Sequence, residues 1–348
     1  MKAGHTAMGA GRRRDFLRIG LGAGALTTAA GLLPWSSISA LAREMENFIK
    51  GPPVPDIAPT RLSDRVWMIY SPDGFPTPEN LGMMCNVIFV LTAKGVVILD
   101  SGASLQIGEM AVRQIRRLTD KPVVAIFNSH YHGDHWLGNQ AYVEAFGKDM
   151  PIYAHAHSKE KIEGFEGNSW RTLMEKWTNQ STAGTMIVPP NKTVEHGAEF
   201  SFGDTTLRVH HYGVAHTPGD ICVEVLEDKL THVGDVAMDR RIANMDDGKY
   251  LGTFAFYDAL EKNADSRLWV PGHGHPSKDV LHWNRELFEG IYRNCEAAVK
   301  GGKGMGVARE MVVKDPRVAS RAADTKGFEH NIGKYVSLAY LEAEENNF

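Results

Sequence analysis

Four side chains able to bind a metal ion, His130, His132, Asp134 and His135, fall within six consecutive positions, directly after an apolar run at 123–127. A buried strand ending in such a cluster restricts the fold, because the cluster must sit at the strand's carboxyl end, where neighbouring loops can bring in further ligands. In extended chain alternate residues point the same way. His130 and His132 therefore form one pair, while Asp134 and His135 begin the turn into a helix near Leu137 and form another. One pair can serve one ion and the other its neighbour. Imidazole and carboxylate suit Zn²⁺, which takes nitrogen at about 2.0–2.1 Å and keeps one position open for water in catalytic sites.

The surroundings of the cluster read as mixed α/β. Strand patterns at 66–70, 86–91 and 96–100 are separated by Gly and Pro. A helix is predicted over 105–118, with Ile107, Ala111, Ile115 and Leu118 at helical spacing, and Pro122 then introduces the strand at 123–127. A second, similar stretch begins near Thr193, with strands at 199–202, 205–210, 221–226 and 229–233, a helix at 254–263 and a short strand at 268–270. Each half thus ends a strand with metal-compatible residues. Two β-rich halves with helices outside predict one sandwich rather than two separable domains. The helix-compatible stretch 158–180 carries Trp170 and Trp177 and is placed over the site. Helical patterns at 282–299, 307–313 and 333–344 form a tail read as packing or oligomer surface.

The run His130-x-His132-x-Asp134-His135 resembles the H-x-H-x-D-H signature of the metallo-β-lactamase superfamily. Ala215-His216-Thr217-Pro218-Gly219, Gly234-Asp235 and Pro271-Gly272-His273-Gly274 follow in the family's order, and the strand ending Asp100-Ser101-Gly102 precedes them. The resemblance implies an α/β fold, a four-layer αβ/βα sandwich, here with a C-terminal helical extension. It also implies two zinc ions per subunit: one held by His130, His132 and His216, the other by Asp134, His135 and His273, with Asp235 bridging. A bridging aspartate is similar to the glyoxalase II-like and quinoprotein-relay-type branch more than to thiolate-containing β-lactamases. His135, where a second carboxylate could stand, argues for zinc over a di-iron redox site.

Composition sets the boundaries of the reading. With 348 residues, 43% hydrophobic and 23% charged, the chain can bury a full core. Residues 1–42 read as a twin-arginine-type signal peptide: Arg12, Arg13 and Arg14, then Phe16-Leu17-Arg18, then an uncharged Gly- and Ala-rich stretch ending at Ala40-Leu41-Ala42. The expected organisation is therefore signal 1–42, catalytic domain 43–278 and helical extension 279–348. Export to the periplasm or the medium follows, with no stable membrane insertion after processing. Removing 1–42, which holds five basic residues and one acid, takes the formal charge from −4 to −8. An acidic protein is expected to act on a small molecule and to bind no nucleic acid. The three cysteines, Cys85, Cys222 and Cys295, read as small buried hydrophobes, none of them where a zinc thiolate is expected.

Zinc brings the pKa of bound water towards about 7, so no Ser or Cys nucleophile is required. The expected activity is cleavage of an ester, thioester, lactone or amide by a metal-bound hydroxide, with Asp134 orienting the nucleophile. Opening of β-lactam rings by a class B-like enzyme is the alternative within hydrolases. A non-catalytic zinc-binding accessory protein is the alternative from another class, against which an open coordination position and two carboxylates weigh. Trp136 follows His135 and is expected at the mouth of the site; Tyr70, Phe75, Met83, Met84, Trp170 and Trp177 are read mainly as core. His155, His157, His210 and His211 read as structural, and His275 as a neighbour of the site.

Overall fold

The computed structural model describes residues 49–72, 74–242 and 245–347. The signal peptide read at 1–42 lies outside the described residues. One sheet runs in chain order through β1 (Thr60–Arg61), β2 (Val66–Ile69), β3 (Val87–Leu91), β4 (Val96–Leu99), β5 (Val123–Phe127), β6 (Ile152–His155) and β7 (Lys192–Val194). Its first four strands pair antiparallel and the rest parallel. The second sheet has the order β12 (Leu268–Pro271), β11 (Leu230–Gly234), β10 (Cys222–Val225), β9 (Thr206–His210), β8 (Glu199–Ser201).

Strands β3 and β4 are apolar on both faces, and alternation sends each face to a different core. Ile88, Val90, Val97 and Leu99 point inward and meet Leu207, Val209, Val223 and Leu230 of the second sheet. Val87, Phe89, Val96 and Ile98 point outward and meet α1 (Leu105–Leu118) through Ile107, Met110, Ala111 and Ile115. The second sheet is covered in the same way, with Cys222, Val233 and Trp269 packed on Phe256, Tyr257 and Leu260 of α6 (Tyr250–Asn263). Four layers result, helix, sheet, sheet, helix, as the resemblance implied.

Helix α1 occupies the predicted residues, started by Ser104, whose side chain accepts a hydrogen bond from Ile107 N, and finished with Arg116 and Arg117 in its last turn. The helices α2 (Gly133–Trp136) and α3 (Asn139–Phe146) follow β5. The stretch 158–180 is two helices, α4 (Ala156–Glu163) and α5 (Phe165–Trp177), broken at Gly164. Gly167 permits their tight crossing, since a Cβ there would lie 2.1 Å from Ile162 O.

The tail comprises α7 (Val280–Lys300), α8 (Met305–Lys314), α9 (Pro316–Ala322) and α10 (Phe328–Asn347). These helices share a core with Ile242, Met245, Tyr250 and Phe254. Among the described residues no helix is long and apolar enough to cross a membrane.

Candidate metal centre

Each predicted ligand sits just beyond the carboxyl end of a strand. His130 and His132 follow β5, and Asp134 and His135 lie in α2, whose first residue, Gly133, could not carry a Cβ without meeting Trp170 Cβ at 2.8 Å. His216 lies in the loop between β9 and β10, Asp235 directly after β11, and His273 two residues after β12. All seven are buried, and the structure brings all seven together.

Two clusters share one wall. His132 Nδ1 and His216 Nε2 stand 3.0 Å apart, and His130 completes a triad. His273 Nε2 and His135 Nε2 lie 3.1 and 3.4 Å from Asp134 Oδ2. Asp235 stands between, with Oδ1 3.4 Å from His135 Nε2, and Oδ2 3.3 Å from His273 Nε2 and 3.6 Å from His216 Nε2.

The donor atoms point at one another, not at hydrogen-bond partners. His130 Nε2, His135 Nε2, His273 Nε2 and Asp235 Oδ1 are buried and unpartnered. Orphaned polar atoms in an interior cost about 1–3 kcal/mol each, so four of them, spread over adjoining groups of metal-compatible side chains, call for cations. Gly272 leaves space beside Asp235 and His135: a Cβ there would fall 2.7 Å from both Asp235 Oδ1 and His135 Cε1. Nitrogen and carboxylate donors in this number suit zinc.

Electrostatics prepare the ligands. Burial pushes His216 down to about 4 and, with neighbouring imidazoles, holds His130 and His132 well below the usual range, so all three present lone pairs. Burial opposes ionisation of Asp134 and Asp235, but His135 and His273 hold both carboxyls far below the ordinary carboxylate range. Burial also disfavours a charged His135, yet the carboxylates of Asp134, Asp235 and Asp100 together raise it. The same ring of negative groups attracts a metal cation.

Behind the ligands a second set of hydrogen bonds fixes their tautomers. Asp100 accepts from His135 Nδ1 at 2.7 Å, His232 Nε2 at 2.8 Å, Ser129 N at 2.7 Å and Ser129 Oγ at 2.8 Å. His273 Nδ1 donates to Met84 O at 2.7 Å, which leaves Nε2 free to face the cluster.

A cavity of about 980 Å³ opens above the cluster. Trp170, Leu173 and Trp177 of α5 line one wall with Phe75; Arg241, Ile242, Asp246 and Asp247 line another. Lys326, His330, Asn331 and Lys334, at the start of the last helix, complete it, so the tail is more than packing surface. Trp136, expected at the mouth, is instead 0% exposed and donates through Nε1 to Tyr131 O. Cys85 is a second correction: its Sγ is 3.5 Å from His135 Nδ1 and close to Asp134 and His273. Burial pushes its thiol up to about 12, so it stays protonated. His275 stacks on Tyr70, and His155 on His211, in keeping with structural roles for the latter pair. His232 and Arg241 were missed; His232 is one polar residue in a strand pattern, and nothing in the sequence signals that Arg241 reaches the cavity.

Residues 81–297 match the family model described as the metallo-beta-lactamase superfamily. The chain belongs to this superfamily. Among curated proteins, a linear primary-alkylsulfatase from Pseudomonas sp. (strain ATCC 19151) is 36% identical over 112 residues, 32% of this chain. The matched part spans 17% of that relative's length. Among solved structures of the superfamily, a metallo-beta-lactamase from Pontibacter korlensis matches with a TM-score of 0.54 and 20% identity, over 66% of this chain and 98% of its own. The stereoselective inverting sec-alkylsulfatase Pisa1 from Pseudomonas sp. matches with a TM-score of 0.64 and 15% identity, over 82% of this chain and 50% of its own. At these identities the structural matches establish the metallo-β-lactamase fold alone.

Proposed function

We propose that this superfamily member is a zinc-dependent hydrolase that holds two ions and cleaves an ester, thioester, lactone or amide bond in a small molecule. The observation that carries the reading is a group of four buried, unpartnered donor atoms beneath an open cavity that Asp235 and His273 line. His130, His132 and His216 would hold one ion, and Asp134, His135 and His273 the other. Asp235 would bridge them, since its two oxygens face different histidines. Bound there, zinc supplies Lewis acidity, which polarises a scissile carbonyl and brings the pKa of water towards about 7.

The chain's own residues do the rest. Asp134, kept ionised by His135 and His273, accepts a hydrogen bond from the attacking water and orients it. Asp100 keeps the His135 ring in place. Trp170, whose ring lies 4.9 Å from that of His132, excludes bulk water from one side.

A sulfate ester is the second reading, favoured by the match to a named alkylsulfatase and by the cationic Arg241 beside His273. Zinc content and turnover of a panel of carboxylic ester, thioester, lactone, β-lactam and alkyl sulfate decide between these readings. His132→Ala is expected to lose most of the bound metal and to lower turnover at least about 100-fold. Retention of both zinc and activity in that variant rules the mechanism out.

A further inference from the structure

The cavity carries a buried cation that the hydrolytic chemistry leaves unused. Arg241 is 6% exposed and lines the cavity beside His273. Among the described residues no carboxylate lies within ion-pair distance of it. Its Nη1 abuts His273 Nδ1, but that nitrogen already donates to Met84 O and offers the guanidinium no lone pair. A buried guanidinium without a counter-charge is costly, and a bound anion removes that cost. The acids nearby are committed elsewhere: Asp246 pairs with Lys334 at 2.6 Å, and Asp247 accepts from Tyr131. Glu166 stands on the α5 side of the cavity and repels an anion from that side.

The backbone holds Arg241 in this position. It bridges Lys326 in parallel, with Ile242 N donating to Lys326 O at 3.1 Å and Lys326 N donating to Arg240 O at 2.8 Å. On the His132 side, beyond Glu166, the cavity presents apolar rings. Trp170 lies against His132, and Phe75 and Trp177 sit with ring centroids 5.1 Å apart. Phe75 is 54% exposed, as a residue at a mouth that admits apolar chains would be.

The geometry points to an amphiphilic anion as the substrate class. Its oxyanion, carboxylate or sulfate, meets Arg241 on the His273 side, and its apolar chain runs along Trp170, Trp177 and Phe75. The placing of the scissile bond between these two ends rests on the proposed hydrolase reading; the binding preference does not.

Calorimetric titration with ligands that cannot be hydrolysed tests this. Decanesulfonate, decanoate, decanol and decyltrimethylammonium are used below their micelle-forming concentrations, on zinc-loaded and on chelator-treated protein. In both forms an anion is expected to bind about 10- to 100-fold more tightly than decanol. Affinity is expected to rise about three- to fourfold per methylene from hexanesulfonate to decanesulfonate. Arg241→Gln should abolish the preference for the anion and leave decanol binding unchanged, and Arg241→Lys should restore part of it. Decanesulfonate binding above decanoate identifies a sulfate ester; the reverse identifies a carboxylate-bearing substrate.

Equal affinity for decanol and both anions, or an unchanged preference in Arg241→Gln, overturns the proposal. If Arg241→Gln does not fold, the wild-type preference and its weakening with salt decide. A chain that binds decanesulfonate but turns over no member of the panel sinks the hydrolase reading alone. A chain that hydrolyses without charge preference sinks this one alone.

Discussion

Asp100 is one of six described non-glycine residues with positive φ, at 61°, and it is wholly buried. Such a conformation costs on the order of 1–3 kcal/mol and persists where its surroundings hold it. Here the holding is visible: the carboxylate accepts four hydrogen bonds from Ser129, His135 and His232. Burial alone would raise its pKa, but the two imidazoles hold the carboxyl far below the usual range. Asp100→Asn keeps the shape but replaces one acceptor with a donor, facing either Ser129 N or both His135 and His232. We expect zinc affinity to fall about 10- to 100-fold, and the metal-free protein to lose about 3 kcal/mol of stability. Competition with a chromophoric chelator and urea denaturation measure the two effects. At this scale the candidate ligands were legible as a group because seven polar residues follow strands, where a core offers them no other role. Cys85, Trp136 and Arg241 were not. The first is adjacent to the site only through the fold, the second turns inward with its short helix, and the third depends on a bridge to Lys326 that no local pattern encodes.

Elements with full periodicity were readable almost to the residue. α1 lies where its apolar spacing put it, and β5 ends at Phe127 as expected. The short strands β6 and β7 were not: they have four and three residues, too few to establish a period. α9 was also missed, although Asp315 before Pro316 is a start signal. The Asp315 side chain accepts from Arg317 N at 2.9 Å and from Asn294 Nδ2 at 2.7 Å, tying α9 to α7. Arg317 hydrogen bonding pulls its carboxyl down to about 2 from an ordinary 3.8. A folded-state pKa below the unfolded one means that the stabilisation is complete above about pH 4 and fades as pH falls towards 2. Asp315→Ala is therefore expected to cost about 1 kcal/mol near pH 6, less as the medium is acidified below pH 4. Parallel chemical denaturation of both chains at pH 6 and pH 3 tests this, and a gap that stays constant between the two would contradict it.

For the whole molecule, the proposed ligands come from both sheets: His130 to His135 follow a strand of the first, and Asp235 and His273 strands of the second. Metal that binds only this assembled form stabilises it, by about 2.7 kcal/mol when free metal is 100 times its dissociation constant. Removing zinc with a chelator is expected to lower the melting temperature by several degrees, and adding zinc back to restore it. Calorimetric scans of the two forms check this, and superimposable scans would contradict it. The tail reaches the same cavity, so its helices and the site should respond to heating together. The separation of His132 from His216 by 84 positions has a kinetic consequence. A clip that closes only after both sheets have docked contributes little to the rate of folding and much to the barrier against unfolding. Bound metal should thus lengthen the lifetime of the native chain in the presence of proteases more than it shortens the time needed to reach that state.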